Sequence, residues 1–149
     1  MLALCFSIGE LRLALPGRCV VEVLPRHVLR PVALAPAAVT GLLPFRGALV
    51  PVVDLCRLVL QRDARPVHSS RIVIVSVAEQ TGGARLVGLL AEDVLDLVPA
   101  GETVPGLQLA DAPWLGAHLA EPPGLPQLLD PSRLLPDELA ALFVADAAA

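Results

Sequence analysis

Apolar runs in this chain are short and repeatedly cut. LALCFSI at 2–8, LRLAL at 11–15, CVVEVL at 19–24 and RIVIVSVAE at 71–79 are bounded by glycine, proline or polar residues. An amphipathic helix needs roughly 10–12 periodic residues to bury a face, whereas a half-buried strand needs only about 4–8. Fifteen prolines and eleven glycines punctuate the text. The chain therefore reads as many short strands, tight turns and little helix, the pattern of small antiparallel barrels.

Gly9-Glu10 and Pro16-Gly17 separate the first three runs and predict a meander of strands. In the third run, period-two alternation puts Glu22 on the face of Val20 and Leu24, a single acid among apolar neighbours. APAAVTGLL at 35–43 has proline near its start and glycine near its end, which predicts a helix of barely two turns. FRGALVPVVDL resumes as strand, with Pro51 marking a break or an edge. QRDARPVHSS at 61–70 is the clearest loop. TGG at 81–83 predicts a hairpin between the run at 71–79 and a long apolar strand, ARLVGLLAEDVLDLVP at 84–99. Two weak strands at 114–119 and 125–129 precede a helix opening at Asp130-Pro131, and Asp137 caps a second helix whose tail frays.

At 149 residues the chain is one domain, a size that typically buries roughly 70% of its unfolded surface. A net charge of −4 and 3% aromatic residues exclude a nucleic-acid partner on both the electrostatic and the stacking side. All eleven basic residues are arginine, a skew that lowers the weight of any single guanidinium. Cys5, Cys19 and Cys56 are odd in number and lack CxxC spacing, so neither a disulfide framework nor a zinc site is expected; they read as small buried hydrophobes in a reducing cytoplasm. No basic region precedes the first apolar run, and no uncharged stretch reaches the roughly 18–20 residues of a membrane span. The expectation is a soluble cytoplasmic protein without direct membrane insertion.

No phosphate-cradling glycine loop, HExxH motif or GxSxG elbow is present. His27, His68 and His118 lie far apart in the sequence. Asp54 and the pair Glu92-Asp93 could be imagined as general acid and base, but carboxylates at strand ends more often cap turns. No catalytic residue, metal ligand or cofactor is assigned. The remaining signal is LLPFRGALVPVVDLC at 42–56, where Arg46-Gly47 interrupts a core-like run. It is either a turn joining two buried segments or a charge kept for an outside partner. Glu22 and Arg46 each sit in an apolar setting that makes an unpaired buried charge costly, so each is solvent-exposed or paired.

LCFSIG at 4–9, VVEV at 20–23, APAAVTGLLPFRGALVPVVDL at 35–55, IVIVSV at 72–77 and VGLLAEDVLDLV at 87–98 resemble, in order and spacing, the CheW family of bacterial chemosensory coupling proteins. The resemblance runs without a gap from Leu4 to Leu55 and more loosely to about Leu135. It implies a mainly β fold of two packed five-stranded SH3-like barrels with short helices. It divides the single domain 1–149 into intertwined subdomains of approximately 15–80 and 1–14 plus 81–136, with a C-terminal tail at 131–149. It also implies a non-catalytic adaptor between the cytoplasmic tip of a chemoreceptor and the regulatory domain of a CheA-type histidine kinase, at receptor arrays near the inner membrane. Other CheW-like proteins would join it in rings.

By the same resemblance Val20, Glu22, Arg46, Val94 and Leu97 fall on receptor-binding positions around an apolar groove between the barrels, with Arg46 and Glu22 as charges on its margin. Gly47 is the turn that lets a partner approach. Kinase contacts are expected at Val23, Val53, Leu55 and Leu58, on strands at a barrel end. Cys56 stands where family members commonly carry a basic residue, and 120–136 is proline-rich where they keep a more continuous strand. The alternative expectation is a stand-alone barrel that binds a small ligand or peptide in the groove.

Overall fold

The computed structural model describes residues 1–78, 83–107, 109–121 and 124–134. Its strands are β1 (Leu2–Ile8), β2 (Leu11–Pro16), β3 (Val20–Pro25), β4 (Val39–Phe45), β5 (Ala48–Asp54), β6 (Arg71–Ala78), β7 (Ala84–Ala91), β8 (Asp93–Pro99), β9 (Thr103–Val104), β10 (Leu115–Leu119) and β11 (Gln127–Leu129), with one short helix, α1 (Leu55–Leu60). They form two sheets, six-stranded in the order β8-β1-β2-β11-β10-β9 and five-stranded in the order β3-β6-β7-β5-β4. The mainly β, two-sheet architecture agrees with the expectation; the sixth strand is the two-residue β9, which among the described residues pairs with β10 alone. Two pairings, β11 with β2 and β5 with β7, are parallel, where a purely antiparallel arrangement was expected.

Four local expectations are corrected. The first three strands are not a meander: β1 and β2 form a hairpin, but the 3-10 turn at Gly17–Cys19 carries the chain away and β3 pairs with β6. Residues 39–45 are strand, not helix, because Val39, Gly41, Leu43 and Phe45 alternate inward. Pairing with β5 from Val39↔Val53 to Phe45↔Ala48 outweighs a two-turn helix, too short to recover its nucleation cost. The run at 84–99 is two strands in different sheets, broken at buried Glu92. β7 lies with β6 and β5, so the chain crosses between the sheets at residue 92 and not near 81.

The fourth is the helix at Asp130-Pro131. Asp130 does cap, accepting from the Ser132 amide at 3.0 Å, but over a 3-10 turn, Pro131–Arg133. The helix expected from Asp137 lies outside the described residues. The strands expected on either side of the TGG turn do pair, β6 and β7 antiparallel from Arg71↔Ala91 to Ala78↔Ala84, while 79–82, with the first two residues of that turn, lie outside the described residues. Pro16, Pro25 and Pro99 lie at strand ends and Pro44 on the edge strand β4, where a missing amide costs least. Pro51, however, marks neither a break nor an edge: it is buried within β5, opposite Leu42, on a strand flanked by β4 and β7.

A shared core joins the sheets. Phe6, Ile8 and Leu15 of one meet Val52, Ile74 and Leu89 of the other, all essentially without exposed area. β1 is buried on both faces: Leu4, Phe6 and Ile8 enter the shared core, while Ala3 and Cys5 join Ala14 and Leu119 in a smaller cluster. The five-stranded sheet curls until its edges meet, for beyond β3 the Arg30 amide donates to the Leu42 carbonyl of β4 at 2.9 Å.

Candidate partner-binding surface

Phe45 pairs with Ala48, so Arg46 and Gly47 are the whole loop of the β4–β5 hairpin. Both have positive φ, 49° and 80°, the signature of the turn whose twist suits a two-residue hairpin. Glycine takes this conformation freely, but for arginine it costs on the order of 1 kcal/mol. Two contacts offset that cost. The guanidinium carbon lies 4.7 Å from the centre of the Phe45 ring, and Nη2 lies 3.4 Å from Glu22 Oε2. The Arg46 side chain nevertheless keeps 67% of its area exposed, and Glu22 42%. Arg46-Gly47 is thus at once a turn between buried segments and an exposed charge.

On β3, Val20, Glu22 and Leu24 are half-buried while Val21, Val23 and Pro25 face outward. A register shift opposite β6 between Val20 and Glu22 redirects the strand at this point. Val94 and Leu97 lie elsewhere, on β8 at the edge of the six-stranded sheet. Val94 is half-buried against the shared core, as Val20 is, and Leu97 is 49% exposed. The structure brings Glu22 and Arg46 into contact and sets Val94 and Leu97 on the other sheet.

Of the expected kinase contacts, Val23 is exposed, but Val53 and Leu55 have 1% and 0% of their area accessible and offer no side-chain surface to a partner. Leu58 is half-buried on α1, not on a strand. The strand ends there because Asp54 Oδ1 accepts from the amides of Cys56 and Arg57 at 2.9 and 3.3 Å, capping α1. Its Oδ2 accepts from the Ala64 amide at 3.0 Å. Gln61, with φ of 57°, closes the helix. Cys56 is likewise fully buried, so it is not a surface departure from the family pattern. Burial, with Glu92 and Asp54 beside it, pushes its thiol up to about 12.

The second buried carboxylate is Glu92. Oε1 accepts from the Gly9 amide at 2.8 Å and Arg62 Nη2 at 2.9 Å; Oε2 accepts from Arg62 Nη1 at 2.9 Å and the Arg65 amide at 2.8 Å. The Arg62 ion pair, aided by the two amides, outweighs burial and lowers its pKa to about 2. Asp54 and Glu92 are thereby engaged as backbone acceptors, the capping role their strand-end positions favour. Among the described residues no cluster of three His, Cys, Asp or Glu could hold a metal, and no helix is long and apolar enough to cross a membrane. Reading the sequence missed the role of Glu92 and Arg62. The available signal was an acid inside LLAEDVLDLV, the same anomaly that singled out Glu22.

Comparison with known proteins adds three findings. The family model for the CheW-like domain matches residues 2–138. Protein FrzA of Myxococcus xanthus is 32% identical over 103 residues, which cover 68% of this chain and 61% of that protein, so the chain spans less than two thirds of this relative. The crystal structure of the scaffolding protein TtCheW from Thermoanaerobacter tengcongensis superposes with a TM-score of 0.77 at 20% identity, covering 91% of this chain and 87% of the other, a likeness of fold.

Proposed function

The chain belongs to the CheW-like family, and on that premise we propose that it is a non-catalytic adaptor coupling a chemoreceptor tip to the regulatory domain of a CheA-type histidine kinase. The observation that carries this reading is the exposed Arg46–Glu22 pair, held on a hairpin tip against an edge strand. A turn that must only reverse the chain has no use for an arginine in a strained conformation. One that must present a charge to an acidic or amide-rich partner does, because charges at the margin of a contact set register and select partners.

In this reading Arg46 and Glu22 receive the receptor, with Val20 behind them and Val94 and Leu97 contributing from β8. Gly47 keeps the tip free of side-chain bulk: a Cβ there would meet nothing within 4 Å. Of the expected kinase residues Val23 retains the role, and neighbouring outward-facing Val21 joins it as surface on the same strand. The protein acts in the cytoplasm at receptor arrays and transmits a conformational bias by contact.

The test is a capture experiment with the wild-type chain and Arg46→Glu in parallel, followed by identification of what each retains. The adaptor reading expects a CheA-type kinase with both forms and a chemoreceptor with wild type alone. Recovery of neither partner by the wild type would overturn it.

A further inference from the structure

The chain passes between the sheets twice over its first hundred residues, once through the 3-10 turn at Gly17–Cys19 and once at a single residue, Glu92, which separates β7 from β8. That crossing residue also carries the bonds that fix it. Its carboxylate reaches the Gly9 amide at the tip of the β1–β2 hairpin, in the six-stranded sheet, and the Arg62 guanidinium and Arg65 amide in the loop that follows α1, beside the five-stranded sheet. Around it, the Ser69 hydroxyl donates to the Asp93 carboxylate and lies 3.3 Å from the Glu92 carbonyl oxygen, while the Val94 amide donates to the Ser69 carbonyl at 3.2 Å. Glu92 is 4% exposed, so its carboxylate is shielded from competing water, while the Arg62 side chain that pairs with it reaches solvent with 31% of its area.

The apolar core between the sheets is non-directional and tolerates small sliding, whereas hydrogen bonds to a buried carboxylate specify distance and angle. Without its partners the carboxylate would be a buried unpaired charge, so the arrangement is closed in one geometry or strongly disfavoured. We propose that Glu92 is a positioning residue that sets the angle between the two sheets, and that simultaneous binding of two partners depends on this angle. The proposal rests on the adaptor reading for its functional half only. Where an adaptor's two partners also touch each other, rigidity between its halves pre-orders that contact and raises the affinity of the second partner for the complex with the first.

The test uses the full chain with Glu92→Gln, which removes the charge with little change in volume. Backbone residual dipolar couplings by NMR are expected to fit a single alignment tensor in the wild type and two tensors, one per sheet, in the variant. Amide exchange at Gly9 and Arg65 should accelerate about tenfold or more. Each binary affinity should stay within about twofold, while the ternary complex with kinase domain and receptor fragment weakens about tenfold. If Glu92→Gln fails to fold, Arg62→Gln, which leaves the Gly9 and Arg65 amides with their acceptor, serves with the residual dipolar couplings and the ternary complex as its readouts. A single tensor with an unchanged ternary complex would overturn the proposal, as would an equal loss of both binary affinities. If the wild type binds neither partner, the adaptor reading fails while the couplings still decide the structural claim.

Discussion

Arg46 and Glu22 stand 24 residues apart in the sequence and on opposite edges of one sheet, yet a guanidinium nitrogen of one lies 3.4 Å from a carboxylate oxygen of the other. The contact exists because the five-stranded sheet curls until the β4–β5 hairpin returns to β3. It displays a cation and an anion together on one exposed face.

Charge reversal at Arg46 is expected to separate binding from stability. Exposed ion pairs contribute roughly 0–1 kcal/mol, so Arg46→Glu should lower the melting temperature by only a few degrees. Receptor affinity should fall tenfold or more, about 1.4 kcal/mol. Thermal melts beside a receptor titration check this; an unfolded variant would make Arg46 structural.

Gly47 is constrained by conformation and not by space. With φ at 80° and no atom near the position a Cβ would occupy, Gly47→Val should cost about 1–2 kcal/mol through backbone strain. Gly47→Asn, which tolerates this conformation, should cost clearly less. Equal urea midpoints for the two variants would refute the assignment.

Asp54 caps α1 and ties down Ala64 from a position only 2% exposed. Asp54→Ala strands buried amides and should destabilise by roughly 2–4 kcal/mol. Equilibrium unfolding measures it, and a loss below about 0.5 kcal/mol would show that these bonds are not needed.

Acid should expose the contribution of Glu92. Its carboxyl is held near 2, below its ordinary value of 4.5. The stabilisation is therefore complete above about pH 4.5 and is lost as pH falls toward 2, an effect on the order of 3 kcal/mol. Urea midpoints between pH 6 and pH 2 should fall less steeply for Glu92→Gln than for wild type. Parallel curves would contradict the role given to the Arg62 pair.

Alkylation should sort the cysteines. Cys5 and Cys56 are buried with raised thiol pKa, and Cys19 is partly exposed, with all three free. At pH 8 iodoacetamide should modify Cys19 and spare the other two until urea is added. Early labelling of Cys56, followed by mass spectrometry, would show that the segment around α1 opens readily.

Elements whose evidence is local were readable from the residues alone. Short runs cut by glycine and proline became strands, Asp54 and Asp130 became caps, and the alternation of Val20, Glu22 and Leu24 survived on β3. Arg46-Gly47 was legible as an anomaly for the same reason: a charge and a glycine inside an apolar run must be explained at that spot. Whatever depends on pairing was settled only when the chain folded. Residues 39–45 have helix punctuation but became strand once β5 lay beside them, and 84–99 reads as one strand until Glu92 sends its halves to different sheets. The burial of Val53 and Leu55 and the meeting of Arg46 with Glu22 belong to this second group. Strand partners, sheet curl and buried ion pairs join residues far apart in the chain, and the free energy of such contacts is written in no single stretch of sequence.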